Sequence, residues 1–498
     1  MTIPSINKPS DWNISLAIVF AGVLAAILFG LVSVTAHPIL VIFSVAILVG
    51  AGLMARPAWI MWLVLSLGLL VQGNLPLYIS DELAQKAAWG VSMLGFFLML
   101  LAILKVVTTP STRQNTPVFI WVAFGFLVYA LFNSLIQWNS AVEYFGGFKR
   151  YFQMWGLIFA LCWLAFDEQN IHRWRVFITI TALIQLPFVI HQVLVFVPIR
   201  EGMVHFVPGL IPIDVVAGTF EANLYQGGSN GEMAAFLIII AVFLLTRFQE
   251  KLITLPRFLL LLPVILAPLF LGETKAVIVM FPLALIVLYR RELITRPHYG
   301  LVILLVGTIF IISLAYAYLS MTEHGSIEDL IDETLGYNVQ GSGYADFHLN
   351  RTTVITFWAE RQGIHDPVSF VFGNGLGSGH TETGGHVAMR YPMYGIGLTA
   401  ASVMLWEMGV FGSGLFAAVL FFAWRCAGRL QRESTIPIIR ADAKALQVAL
   451  VLFGFFLFYR ASMMETLSIQ IVFAMLLGYL AWLYRQHVFT KIDHPTHE

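Results

Sequence analysis

The run LVILLVGTIFIISLAYAYLS (301–320) carries no charged side chain, and it is one of many such runs in this chain. A stretch of about 20 apolar residues matches the ~30 Å hydrocarbon core of a bilayer when wound as a helix. Inside lipid every backbone N–H and C=O must be satisfied within the segment, which leaves helices as the way to fold such runs. The candidate spans are 14–34, 38–54, 58–72, 87–106, 117–136, 151–166, 174–197, 232–246, 257–271, 275–289, 300–320, 396–424, 446–459 and 466–484. Several of these are short and one pair can be re-entrant, so the expectation is an all-α polytopic membrane protein with about 12–14 transmembrane helices. The first run has no small-residue cleavage site and reads as a retained span. Charged residues are 11% of the 498, where a soluble domain carries about a quarter. Net charge is zero, so no global field recruits nucleic acid. Two cysteines, Cys162 and Cys426, support neither a disulfide framework nor a Cys-based metal site.

Lysine and arginine set the orientation, because they accumulate in cytoplasmic connections. With the N-terminus inside, only Lys86, Lys149, Arg150, Arg200, Lys275, Arg351, Arg361, Arg390 and Arg460 of the 28 basic residues fall outside. Both termini are then cytoplasmic. The chain divides into a helix bundle (1–320), a large extracytoplasmic loop carrying short helices (321–395), and C-terminal helices with a cytoplasmic tail (396–498). A second outer connection, 198–231, is rich in Gly, Pro and Asn and reads as irregular backbone.

The outer cations oppose the insertion bias. Singly, each can snorkel to lipid phosphate or pair with a carboxylate such as Glu273 or Glu465. Jointly, Lys149, Arg150, Lys275, Arg351, Arg361 and Arg460 on one face suggest a shared anion site, since arginine matches phosphate bidentately. Carboxylates outnumber arginines in the large loop, and EDLIDE (328–333) reads as a solvated helix face.

Within that loop, NRTTVITFWAERQG (350–363) suits a helix capped by Asn350 and stopped by Gly363, with Val354, Ile355 and Trp358 as its apolar stripe. Asp366-Pro367 breaks it. Gly373, Gly375, Gly377 and Gly379 follow, and successive amides in such a loop can form an anion nest. The spacing is not GxGxxG and no βαβ unit surrounds it, which excludes a dinucleotide or P-loop reading. His324, His348, His365, His380 and His386 lie in the loop without zinc-ligand spacing. A single histidine there can act as general base.

Taken in order, several segments resemble the O-antigen ligase and polymerase superfamily. Arg351, Trp358, Asp366-Pro367 and the GNGLG run (373–377) are similar to its extracytoplasmic motif of Arg, Trp, "hP" and GxGxG. GTFEANLYQGGSNGEMAAF (218–236), GETKA (272–276) and LWEMGVFG (405–412) resemble its GTFxNPNxxG, TxSRxA and ExGxxG segments. The likeness covers roughly 140–480. The ligase-type His-Asn pair is missing, with Leu398 and Thr399 in its place, which favours a polymerase. His386, His380 or His365 would stand in for the missing base.

The resemblance implies a metal-independent membrane glycosyltransferase of the bacterial cytoplasmic membrane, with no cofactor. Its partners would be an undecaprenyl-pyrophosphate-linked oligosaccharide, membrane lipids and chain-length regulators of polysaccharide assembly. In the roles it implies, Arg351, Lys275 and His386 are catalytic. Lys149, Arg150, Arg361, Trp358, Gly375, Gly377, Glu407 and Arg460 bind substrate. Alternatives are a ligase to a lipid A core and a lipid-linked oligosaccharide flippase.

Overall fold

In the computed structural model, residues 56–207, 209–272, 275–321, 338 and 348–493 are described. The spans expected at 14–34 and 38–54, the EDLIDE segment, His324 and Glu273 lie outside them. Residues 1–62 and 63–498 separate into two compact units. Of the first, only 56–62 is described, as the start of the Pro57–Ser66 helix. The two sequence boundaries, at 320 and 395, both fall within the second.

The protein is an all-α polytopic membrane protein. Among the described residues, eight helices are long and apolar enough to cross a bilayer: Pro57–Leu77, Asp81–Thr108, Val118–Ile136, Glu168–Glu201, Asn230–Gln249, Ala400–Glu433, Pro437–Tyr459 and Leu467–Val488. Leu255–Leu271, Val277–Leu288 and Gly300–Leu314 are shorter apolar helices. The span read at 151–166 is a broken one, with helices Ala141–Phe152 and Trp155–Trp163 meeting at Met154. The one described sheet is a two-residue antiparallel bridge, Ala222–Asn223 on Gly227–Gly228.

The Leu467–Val488 helix is the axis of the bundle, with 94% of its apolar window buried. Trp155–Trp163 is buried at every position and packs against both that helix and Asp81–Thr108. The second contact is backbone on backbone. A Cβ on Gly156 would lie 1.9 Å from the Gly95 carbonyl oxygen, so small residues decide how close these helices come.

Polar side chains collect at the two ends. At one end Arg247 binds Asp442 through Nε (2.7 Å) and Nη2 (2.8 Å), and the Tyr479 hydroxyl donates to the same carboxylate (2.6 Å). Arg440–Glu250 and Lys444–Glu292 extend this layer. The other end, the loop face, holds the segment 348–395, the 459–467 turn and the 218–231 connection.

Candidate functional site

The glycine loop is built around a break in the Ala400–Glu433 helix. Gly409 takes φ 63°, ψ −169°, which interrupts the helical ladder and frees carbonyls one turn earlier. Those carbonyls receive the loop. Asn374 N–H donates to Trp406 O (3.0 Å) and Gly375 N–H to Glu407 O (2.9 Å). Only glycine fits here. Gly373 has φ +80°, and a Cβ on it would meet Glu407 O at 2.3 Å; a Cβ on Gly409 would meet Val371 O at 2.4 Å. The 118–136 helix clamps the junction. The Tyr129 hydroxyl sits between Phe372 O (2.8 Å) and Met408 O (2.9 Å), Asn133 Nδ2 donates to Phe372 O, and Ser134 Oγ accepts from Leu376 N–H.

The expected anion nest is therefore largely occupied by the protein itself. The amides of residues 374, 375 and 376 are spent on helix carbonyls and Ser134, and Gly379 N–H donates to Glu407 Oε1 (3.0 Å). The acidic group seated in the loop is the fully buried Glu407 carboxyl. Gly375 and Gly377 shape this contact, and neither offers a free cradle to a phosphate.

Trp358 is likewise a core residue. It is 5% exposed, stacks on Phe370 (4.7 Å between ring centroids) and spends its indole N–H on Gln362 (2.7 Å). The helix begins at Thr353 rather than 351. Asn350 caps it by accepting from the amides of Thr352 and Thr353, and its buried stripe includes Phe357. Arg351 precedes the helix and reaches the last turn of Pro437–Tyr459. Its Nε donates to Tyr459 O (2.6 Å), its guanidinium lies 4.6 Å over the Tyr459 ring, and it binds Asn338. Arg361 is exposed and lies over Phe357 (5.2 Å), apart from the rest.

Four of the expected cations do converge. Arg150 Nη1 contacts Glu465 Oε1 (3.0 Å) and His380 Nδ1 (3.1 Å), and its Nη2 binds Glu382. Arg460 lies 3.4 Å from the fully buried Glu232. Lys149 sits 4.7 Å over the Trp89 ring, within the electrostatic reach of Glu221 and Glu382. Asp214 faces Arg200, Arg460 and Lys275. Burial pushes the Glu221 carboxyl up to about 7, outweighing its bond from Leu467 N–H, with Glu232 and Glu465 adding to the push. Burial also acts upward on Glu465. There the His380 hydrogen bond and the charges of His380, Arg150 and Arg460 prevail, holding it below the usual carboxylate range.

His386 stands a short way along the loop. Its Nδ1 lies 2.7 Å from Glu143 Oε1, while Asn139 Nδ2 holds the other oxygen (2.6 Å). The side chain is 27% exposed, and with Nδ1 tied to a carboxylate the ring nitrogen left for other chemistry is Nε2. Glu143 was legible only as a helix-start signal. Ser140 and Glu143 form an S-x-x-E pattern, and Ser140 Oγ does accept from Glu143 N–H (3.2 Å), but the carboxylate turns away to His386. Glu382 and His380 gave no signal by spacing, because their partner Arg150 is more than 200 residues away in sequence. No group of His, Cys, Asp and Glu suited to a metal ion occurs among the described residues.

Chemically, the site offers guanidinium and ammonium groups for an oxyanion, and one histidine oriented by a carboxylate. Against known proteins, no family model matches the chain and no curated protein matches it.

Proposed function

We propose that this protein transfers or polymerises glycan units carried on undecaprenyl pyrophosphate at the outer face of the bacterial cytoplasmic membrane. One observation carries the reading: Lys149, Arg150, Arg460 and Lys275 gather around shared carboxylates at the same end of the bundle as the Glu143-oriented His386. The lysine and arginine bias puts that end outside. Breaking the anomeric C–O bond leaves charge on the departing diphosphate, and fixed cations in a partly desolvated site are the groups that stabilise it. His386 Nε2 takes the proton of the acceptor hydroxyl as its oxygen bonds to the anomeric carbon, and Glu143 keeps the ring in register. Arg351 fixes the 459–467 turn that carries Arg460 and Glu465. The reaction needs no cofactor, since basic side chains supply the charge.

The test is polymer formation in cells by single variants, with insertion checked by immunoblot. Lys149→Ala, Arg150→Ala and Arg351→Ala should lose polymer at normal protein levels. Arg361→Ala, outside the cluster, should keep it. Normal polymer in all three of these variants would refute the assignment.

A further inference from the structure

His380 occupies a position with two possible hydrogen-bonding states. It is 5% exposed, and its Nδ1 lies within reach of a permanent donor, Arg150 Nη1 (3.1 Å), and of an acceptor, Glu465 Oε1 (3.1 Å). Its Nε2 faces Glu407 Oε1 at 3.8 Å. That nitrogen is buried and has no hydrogen-bond partner among the described residues, and the Tyr151 hydroxyl lies against the Glu407 carboxyl. In the first state Arg150 donates to Nδ1, which is then an acceptor on a neutral ring; in the second Nδ1–H donates to Glu465 and the ring can carry the charge that holds that carboxylate. If Arg150 turns to another anion, Nδ1 is released and Glu465 loses its guanidinium. A carboxylate so uncovered beside buried Glu407 is costly unless a positive charge replaces the one withdrawn.

We propose that binding of a diphosphate to Arg150 is coupled to uptake of one proton by His380. The proton enters from solvent past Glu465, whose side chain is 37% exposed. The resulting imidazolium donates from Nδ1 to Glu465 and points Nε2–H at Glu407, so both carboxylates keep a cationic neighbour while Arg150 holds the ligand. The groups facing His380 are Arg150 from the 141–152 helix, Glu407 from the 400–433 helix and Glu465 from the 459–467 turn, with Tyr151 lying against Glu407. Glu382 caps Arg150 from the solvent side, with its side chain 81% exposed, and is the contact a diphosphate displaces first. The coupling makes diphosphate affinity fall as pH rises, because the bound state holds one proton more than the free state.

The inference rests on the diphosphate reading of Arg150, and one experiment separates the two. Titration calorimetry of the purified full chain with farnesyl diphosphate is run in buffers of different ionisation enthalpy, which counts protons taken up per ligand bound. Wild type should take up about one proton more than His380→Asn or His380→Gln, both of which still bind. Using the difference cancels any proton carried by the ligand, and two replacements guard against one that fails to fold. Equal uptake in wild type and both variants would overturn the coupling alone. Absence of binding to wild type would overturn the diphosphate site as well.

Discussion

Arg150→Met removes the guanidinium at the centre of the loop-face network while keeping its aliphatic bulk. Arg150 is 14% exposed at its side chain, yet its partners differ in worth. The Glu382 pair is solvent-facing and contributes about 0–1 kcal/mol. The Glu465 and His380 contacts are better shielded, and charge-assisted hydrogen bonds of that kind are worth about 1.5–3 kcal/mol. Fold stability should therefore drop by only ~2–3 kcal/mol, which leaves an inserted protein to assay. The ligand effect is separate. Losing one charge-assisted contact to a diphosphate costs about 1.5–3 kcal/mol, or roughly 10- to 150-fold in affinity. Calorimetry with farnesyl diphosphate reads this directly, with Arg361→Met as the control. Arg150→Lys should recover part of the loss, because it restores charge without the fork that meets two partners. Equal affinity in wild type and Arg150→Met would refute the placing of the anion at this residue.

Three further outcomes test the structure around the site. Asp442→Ala strands the buried Arg247 at the opposite end and should cost about 3–5 kcal/mol, seen as a lower melting temperature in detergent, whereas Arg247→Met combined with Asp442→Leu should be near neutral; an unchanged melt in the single variant would contradict the pairing. Gly409→Ala forces an L residue into φ 63° against Val371 O and should destabilise by roughly 1–3 kcal/mol, while Gly414→Ala, with nothing within 4 Å of its added methyl, should not. Glu221 has a folded value near 7 against an ordinary 4.5, so the folded state binds the extra proton and this residue's contribution to stability declines as pH rises from about 4.5 to 7; Glu221→Gln should flatten that decline in the melting temperature, and an unaltered slope would refute it.

The fold was legible because lipid imposes one rule on every span: apolar residues outside, backbone bonds inside. Each candidate span from 58 onward overlaps described helix. The site was legible only in part. Clustering of Lys149, Arg150, Arg460 and Lys275 followed from their sharing one end. The glycines announced an unusual backbone, but periodicity cannot say what an amide will bind. Gly375 turns to the Glu407 carbonyl because Gly409 has freed it, and that depends on two segments 34 residues apart in sequence. Trp358 was legible as part of an apolar stripe, but its cover was not, because Phe370 comes from the next short helix. His386 and His380 were equivalent in sequence. Their separate environments come from Glu143 and Arg150, residues of a helix more than 200 positions earlier.

The most direct measurement is reconstitution of the purified protein into liposomes with an undecaprenyl-pyrophosphate-linked repeat unit, with and without a lipid A core acceptor. Lengthening of the lipid-linked glycan with release of undecaprenyl pyrophosphate is the expected result, lost in Arg150→Met and His386→Gln. Movement of the unit across the bilayer with no new glycosidic bond, in the presence or absence of core, would contradict glycan transfer.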